Sequence, residues 1–194
     1  MQIIGLTGSI ASGKSSVANM FKRLLIPVHD ADKVAHELMA PNGIAVPQIL
    51  QQFGDVGSLS GGIDRHKLGT IIFQDGTAKN QLEMILHPLI FENRSRFLRL
   101  MQSQRYAKVV LDVPLLFETG SQVICDTVIC VWAPKFLQYQ RALRRAGMTP
   151  EKLDAIINYQ MPQHDKKTLA DFTLPTGLGK ADTFRRLRHW LKQN

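Results

Sequence analysis

Residues 2 to 16, Gln2-Ile-Ile-Gly-Leu-Thr-Gly-Ser-Ile-Ala-Ser-Gly-Lys-Ser-Ser16, decide the fold of the chain. The apolar start of this stretch predicts a short buried strand, and the pattern Gly8-x-x-x-x-Gly13-Lys14-Ser15 follows at once. Apolar residues then recur at helical spacing. A strand, a glycine-rich loop and a helix in this order predict a phosphate-binding loop, in which backbone N–H groups and a helix N-terminus surround an anion.

Two side chains of this phosphate loop (residues 8–15) carry the predicted chemistry. Lys14 is expected to reach the β- and γ-phosphates of ATP, and the Ser15 hydroxyl is expected to bind Mg²⁺, the predicted cofactor. The alternative is an ordinary turn between a strand and a helix. The residues predicted to contact ATP at this loop are Gly8, Ala11, Ser12, Gly13, Lys14, Ser15 and Ser16.

The size and charge of the chain limit the classes of function. Its 194 residues allow one α/β core with room for an inserted subdomain. The net charge of +8 favours anionic partners, which are either nucleic acids or small polyanions. Because no signature of a nucleic-acid-binding module occurs, we predict a polyanionic substrate and no nucleic-acid partner.

The sequence also predicts a cytoplasmic protein. No segment approaches the ~20 uninterrupted apolar residues of a membrane span. Met1 leads directly into the first predicted strand, which leaves no space for a signal peptide. Cys125 and Cys130 are too few for a disulfide framework and lack C-x-x-C spacing, so we expect reduced, buried thiols. Nothing in the sequence indicates an obligate protein partner or a membrane partner.

Two acidic residues follow the second predicted strand, residues 26–30. Asp30 and Asp32 stand at its carboxyl end, where ligands bind in open parallel sheets. Both are therefore candidates for chemistry. Each also has a structural alternative, since Asp30 is suited to cap the next helix and Asp32 to add a favourable charge to its first turn.

The sequence between residues 41 and 103 contains several helical patterns and almost no strand signal. Its longest predicted helix, residues 78–103, is expected to be interrupted at His87-Pro88. A helical block between the second and third strands of a parallel sheet is typical of a substrate-binding insertion. The helix that follows Asp64 and Arg65 has an apolar face formed by Leu68, Ile71, Ile72 and Phe73.

Strand and helix signals alternate again from residue 108 onward. The third strand ends at Asp112, which we consider a possible member of the Mg²⁺ site. Trp190 in the last helix is assigned to the core rather than to ligand stacking. The sequence thus predicts an α/β fold with a five-stranded parallel sheet and helices on both faces. The later strands are predicted at residues 108–112, 127–133 and 171–175, and the last helix at residues 182–192.

Three arginines, Arg141, Arg144 and Arg145, lie near the junction of two helices predicted at residues 134–146 and 150–161. Helix pairs with arginines after the fourth strand serve as lids in small kinases, where they exclude water and neutralise charge during phosphoryl transfer. The alternative is that arginines near a helix C-terminus only complement the helix dipole.

Taken together, these features resemble the dephospho-CoA kinase family. The phosphate loop alone identifies only a superfamily, whereas the spaced combination of motifs is far more specific and runs nearly end to end. The motifs are Leu6-Thr7-Gly8 with the phosphate loop, Asp30-Ala31-Asp32, Asp64-Arg65 with Leu68 and Phe73, His87-Pro88-Leu89, Val113-Pro114-Leu115-Leu116-Phe117-Glu118, Arg141 with Arg145, Gln160, and Ala170-Asp171.

The resemblance implies a P-loop kinase that transfers the γ-phosphoryl group of ATP to the ribose 3′-hydroxyl of dephospho-CoA, the last step of coenzyme A synthesis. It implies a nucleotide-binding core of residues 1–32 and 106–194, a helical CoA-binding insertion of residues 33–105, and lid helices within residues 136–168. Asp32 becomes the general base or hydroxyl-orienting residue, Arg141 a catalytic lid arginine, and Arg145 an ATP-binding lid arginine. The acceptor-binding residues would be Asp32, Arg65, His87, Pro88, Leu115, Leu116 and Glu118.

The chain departs from the family pattern at three places. The usual Gly-Gly-Ile-Gly opening of the loop is Gly8-Ser9-Ile10-Ala11 here. His36 stands where the family often carries arginine, and Thr176, next to Pro175, stands where it usually has asparagine.

Two other functions compete with this interpretation. The first is a P-loop kinase whose acceptor is a nucleoside, a nucleotide or a shikimate-like hydroxyl. The second is a non-catalytic or regulatory nucleotide-binding protein, such as a GTPase-like switch or a basic nucleic-acid binder. The chain lacks the Asn-Lys-x-Asp guanine motif that a GTPase is expected to carry.

Overall fold

The structure, a computed structural model, describes the backbone of all 194 residues and the side chains of all except residues 73 and 74. The prediction that Phe73 lies on an apolar helix face therefore falls outside the described side chains. The chain forms two compact units. The first comprises Met1–His29 and Met101–Asn194, and the second comprises Asp30–Leu100. The functional division into a nucleotide core, an insertion and a lid stays a prediction.

A five-stranded sheet organises the first unit, as the sequence predicts, and the structure gives its strand order as β2-β3-β1-β4-β5. The strand β1 lies at its centre and pairs in parallel with β3 and β4, and β4 pairs in parallel with β5. The strands are β1 (Gln2–Thr7), β2 (Val28–Asp30), β3 (Lys108–Asp112), β4 (Thr127–Trp132) and β5 (Phe172–Pro175).

Helices cover the sheet and form most of the second unit. In chain order they are α1 (Lys14–Arg23), α2 (Ala31–Leu38), α3 (Val46–Phe53), α4 (Arg65–Gln74), α5 (Gly76–Ser103), α6 (Lys135–Leu143), α7 (Pro150–Tyr159), α8 (Gln163–Leu169) and α9 (Lys180–Gln193). The sequence did not predict α8, because seven residues are too few to show a helical period. None of the described helices has both the length and the apolar character needed to cross a bilayer.

The core of the first unit is one apolar cluster in which α1 and α9 pack against the sheet. Val17 and Phe21 of α1 are fully buried, and they pack with β-strand residues such as Ile4 in one apolar cluster. The last helix, α9, joins the same cluster through Trp190, whose ring stacks on Phe172 with the ring centroids 5.6 Å apart. The assignment of Trp190 to the core is therefore confirmed.

The second unit has its own apolar core, which draws on α3, α4 and α5. Asp30 caps α2 by accepting the Lys33 N–H at 3.0 Å, which confirms the capping geometry predicted for it. Asp64 caps α4 by accepting the N–H groups of His66 and Lys67. The hydrogen bond from the Lys67 N–H is the largest cause of the lowered pKa of the Asp64 carboxyl.

The predicted interruption of the long helix at His87-Pro88 is wrong, since α5 continues through Pro88. Proline cannot donate to the carbonyl four residues earlier, so one hydrogen bond of the helix is lost. Buried Leu82 and Leu86 before the proline and partly buried Leu89 after it anchor both sides in the same core. This packing keeps the helix continuous where the local propensity alone favours a break.

The two cysteines, both free thiols, are expected to differ in reactivity. Cys130 is fully buried, as expected, and burial raises the pKa of its thiol to about 11. The expectation of a buried thiol is wrong for Cys125, which is partly exposed. Since the thiolate is the reactive form, one thiol per chain should react with a disulfide reagent at pH 8 in the native protein, and two in denaturant. Reaction should vanish in native Cys125→Ser. Rapid native labelling of Cys130 would contradict the buried assignment.

Candidate active site

The phosphate loop lies between β1 and α1, and two glycines allow its path. A Cβ atom at Gly8 would lie only 2.7 Å from the Val131 carbonyl oxygen, so no larger residue fits there. Gly13 has φ of 100° and sits directly before α1, with no side chain capping the helix. The first turn of α1 also contains no acidic residue. The Ser16 N–H donates to the Gly13 carbonyl at 3.0 Å, so the N–H groups of Lys14 and Ser15 at this helix end are left for an anionic ligand.

The Lys14 side chain lies against the end of the neighbouring strand β3. Its Nζ is 2.6 Å from Asp112 Oδ1, and the two side chains are only 14% and 3% exposed. The sheet register creates this contact, because Leu6 of β1 pairs with Asp112 in parallel. The carboxylate holds the lysine charge at the loop, where a phosphate group would replace or share the ion pair.

Serine hydroxyls also line the loop. The Oγ atoms of Ser9 and Ser12 are buried and form no hydrogen bond with the described part of the protein. Buried polar atoms in folded proteins are nearly always bonded, so these two are expected to gain a partner when a ligand or water enters. Ser15 is exposed and Ser16 is half-buried at the start of α1.

Ala11 adopts a left-handed backbone conformation, with φ of 56°, and is 7% exposed. This is the position where the family pattern has glycine. The left-handed conformation costs an L-residue about 1–2 kcal/mol in the folded state. Glycine avoids this cost but gives the unfolded chain more conformational entropy, which lowers stability by about 0.4–1 kcal/mol. Ala11→Gly is therefore expected to raise the free energy of unfolding by up to about 1 kcal/mol, measured by urea denaturation.

The matched control for this substitution is Ala155→Gly in α7, where the same change meets helical backbone. It should lower stability by about 0.5–1 kcal/mol, because glycine is a poor helix former. Equal losses in both variants would show that Ala11 carries no backbone strain.

Thr176 links the loop to Arg141 of α6, a connection that sequence reasoning missed. Its Oγ1 donates to the Ser12 carbonyl at 2.6 Å and accepts from Arg141 Nη1 at 3.1 Å. Arg141 Nη2 also donates to the Thr176 carbonyl at 2.9 Å. The departure from the family pattern at position 176 was the only signal in the sequence that this residue is special. The structure therefore holds Arg141 next to the phosphate loop.

The other two arginines differ from Arg141. Arg144 is the C-cap residue of α6 and Arg145 follows it, and both are exposed. Arg141 lies in the last turn of α6, so its position also suits the dipole interaction considered above. Only Arg141 among the three forms a hydrogen bond to the loop-contacting Thr176 in the described structure.

Within the second unit, Asp32 lies in the first turn of α2. Its side chain is exposed and forms no ion pair or hydrogen bond with the side chains that the structure describes. Arg65 is the first residue of α4 and is exposed. His87 stacks on Phe91 with the ring centroids 5.8 Å apart, and Pro88 beside it is exposed.

The segment after β3 carries the other predicted acceptor residues. Leu115 is half-buried, whereas Leu116 is fully buried and contributes to the core against Gly5. The Glu118 carboxylate, 19% exposed, accepts the Met161 N–H through Oε1 at 2.8 Å and pairs with Lys166 through the same oxygen. Glu118 Oε2 has no bond to any described group.

The site of the first unit is suited to hold a polyphosphate. It combines an uncapped helix N-terminus, a lysine held by a carboxylate, two buried hydroxyls without partners, and an arginine fixed through Thr176. These groups neutralise negative charge and position a phosphoryl group, which is most of what an enzyme supplies in phosphoryl transfer.

Comparisons with known proteins agree with this geometry. The sequence model of the dephospho-CoA kinase family matches residues 2–179. The dephospho-CoA kinase of Rhodospirillum rubrum is 49% identical over 186 residues, which cover 96% of this chain and 88% of that protein. The crystal structure of TT1252 from Thermus thermophilus superposes with a TM-score of 0.81 at 30% identity, over 99% of this chain and 97% of that chain. A dephospho-CoA kinase structure from Campylobacter jejuni gives 0.73 at 26% identity, over 100% and 97%.

Proposed function

Since the chain belongs to the dephospho-CoA kinase family, we propose that it transfers the γ-phosphoryl group of ATP to the ribose 3′-hydroxyl of dephospho-CoA. The products are coenzyme A and ADP. The single structural observation that supports this proposal most is the Lys14–Asp112 pair at an uncapped helix N-terminus, because a fixed cation beside free N–H groups suits the binding of β- and γ-phosphates.

The phosphate loop binds ATP in this proposal. The N–H groups of the loop and of the start of α1 hold the phosphates, and Lys14 neutralises the charge that develops on the transferred group. The residues assigned to ATP are Gly8, Ala11, Ser12, Gly13, Lys14, Ser15, Ser16 and Arg145. Arg141 supplies a second positive charge, and its bonds to Thr176 hold it beside the loop before ATP arrives.

Asp32 acts on the acceptor hydroxyl. Its carboxylate is exposed and unpaired within the described structure, so it can accept the hydroxyl proton or orient the hydroxyl for in-line attack. The helical segment 33–105 binds dephospho-CoA, and segment 136–168 closes as a lid that excludes water. The acceptor-binding residues are Arg65, His87, Pro88, Leu115 and Glu118. Leu116 belongs to the same set but is fully buried, so it supports the segment by packing in the core.

The residues at the loop also fit Mg²⁺. The Ser15 hydroxyl and the Asp112 carboxylate are hard oxygen donors, and the described residues contain no cluster of three acidic, histidine or cysteine side chains that would enclose a metal. Mg²⁺ prefers such open sites, where substrate phosphates and water complete its coordination. Held by the Ser15 hydroxyl and Asp112, the ion would neutralise negative charge on the phosphates of ATP.

The proposed surroundings of the enzyme follow from its chemistry. Both cysteines are free thiols, which suits the reducing cytoplasm. ATP and dephospho-CoA are the proposed partners, and no nucleic-acid, membrane or obligate protein partner is needed for the reaction.

A panel of acceptors tests the assigned substrate against the competing kinase functions. The purified protein is incubated with ATP, Mg²⁺ and one acceptor, namely dephospho-CoA, adenosine, AMP or shikimate, and ADP release is measured. We expect acceptor-dependent ADP release with dephospho-CoA only, loss of activity with EDTA, and recovery with added Mg²⁺. Preference for another acceptor would refute the assigned substrate, and no ADP release with any acceptor would favour a non-catalytic nucleotide-binding protein.

A further inference from the structure

Lys166 is the one lysine among the described side chains that is completely buried, with 0% exposure. Lysine is almost never fully buried unless its charge is paired. Here Nζ lies 2.8 Å from Glu118 Oε1 and donates to the Pro114 carbonyl at 3.0 Å. The charge is therefore compensated inside the first unit and is not presented to a substrate.

The two oxygen atoms that contact Lys166 each accept a second hydrogen bond, and these bonds lead toward the phosphate loop. The Pro114 carbonyl also accepts the hydroxyl of Thr7, the last residue of β1, at 3.0 Å. Glu118 Oε1 also accepts the Met161 N–H at 2.8 Å. Lys166 is thus connected to the end of β1 through the Pro114 carbonyl, and to the backbone after α7 through Glu118.

The residue before Met161 contacts the phosphate loop directly. Gln160 Oε1 accepts the Ile10 N–H at 2.9 Å, and Ile10 lies in the middle of the loop. The direction of the loop N–H groups decides how well the loop binds phosphate. A side chain that fixes one of them therefore controls the shape of the loop as a whole.

We propose that Lys166 is a positioning residue for ATP binding: through Glu118 and the Met161 N–H it holds Gln160 against the Ile10 N–H and so fixes the phosphate loop. This inference rests on the proposed function, since it concerns the same nucleotide site. Without the Lys166 charge, the partly exposed Glu118 carboxylate lacks its counter-ion and turns toward solvent. The backbone at Met161 then loses its acceptor, and Gln160 loses its fixed position.

The test measures binding of a fluorescent ATP analogue with Mg²⁺ and without any acceptor, in Lys166→Met, Gln160→Ala and the double variant. Each single change is expected to raise Kd about tenfold, the equivalent of one lost hydrogen bond. Because the proposal makes Lys166 act through Gln160, the double variant should bind about as weakly as either single variant. Lys167→Met, which changes the exposed lysine next in the chain, is the matched control and should bind normally.

Steady-state kinetics give a second readout that a general loss of stability would not produce. KM for ATP should rise about tenfold in Lys166→Met and Gln160→Ala. In Gln160→Ala, which leaves the Glu118–Lys166 pair intact, KM for dephospho-CoA should stay unchanged. If Lys166→Met does not fold, Lys166→Gln replaces it in the cycle, because glutamine removes the charge that pairs with Glu118 but can still donate to the Pro114 carbonyl.

Normal ATP affinity in a folded Lys166→Met or Lys166→Gln variant would overturn the proposal, and so would independent, multiplying effects in the double variant. The failure of the proposed function gives a different result. If the unchanged protein binds the ATP analogue but does not phosphorylate dephospho-CoA, the assigned acceptor is wrong and the inference about Lys166 stands.

Discussion

Asp32→Asn is expected to lower kcat with ATP and dephospho-CoA by about 10²–10⁴-fold, the range for loss of a general base. Asparagine has nearly the same shape as aspartate but cannot take a proton from the acceptor hydroxyl. The residue is exposed in the first turn of α2, so the substitution should not disturb packing. Binding of an ATP analogue should stay within about twofold of the unchanged protein, which the same fluorescence titration measures.

The matched control for Asp32→Asn is Asp30→Asn, two residues earlier. Asp30 caps α2 by accepting the Lys33 N–H, and asparagine caps helices about as well as aspartate. We therefore expect normal melting temperatures in both variants and a large loss of kcat only at position 32. Near-normal turnover in Asp32→Asn would remove this residue from the mechanism, and a large loss in Asp30→Asn instead would move the role to its neighbour.

Lys14→Met should reduce kcat/KM for ATP by about 10²–10³-fold, the usual loss when one group that stabilises transition-state charge is removed. Methionine keeps much of the length and apolar character of lysine but carries no charge. In this structure the lysine is 2.6 Å from Asp112 in a nearly buried pair, so its charge is fixed before ATP binds. The loss should appear in both kcat and nucleotide affinity, measured by steady-state kinetics and titration.

Lys22→Met provides the control, since Lys22 belongs to the same helix α1 but is exposed in its last turn. It should leave kcat/KM unchanged.

A second control concerns Asp112, because removing Lys14 leaves its carboxylate without this partner. The double variant Lys14→Met/Asp112→Asn should recover any melting temperature lost in Lys14→Met without recovering activity. Recovery of activity would show that Lys14 acts only by neutralising Asp112.

The phosphate loop could be predicted in detail because the residues that form it are close together in the sequence. The order of strand, glycine loop and helix lies within about twenty residues, and β1 and α1 begin and end close to the predicted positions. The ion pair of Lys14 with Asp112 could not be predicted as a contact. It depends on which strand lies next to β1 and on the register between them, which places Leu6 opposite Asp112.

The helix α5 shows where local rules fail. His87-Pro88 predicted an interruption, yet the helix continues, because apolar residues on both sides of the proline are buried in one core. The energy of that packing is shared among many residues of the second unit. A propensity assigned to one dipeptide does not include it.

The sequence by itself determined the family of this protein and the local motifs on which the proposed chemistry rests: the phosphate loop, the two acids after the second strand and the three arginines after the fourth. Only the tertiary structure decided which distant residues hold the loop in shape. Thr176 bonds to Ser12 across 164 positions and Gln160 to Ile10 across 150. The physical reason is that a sequence motif consists of residues near one another in the chain, which can be identified without the fold. A hydrogen bond between distant segments forms only when the folded chain brings a donor within about 3 Å of an acceptor.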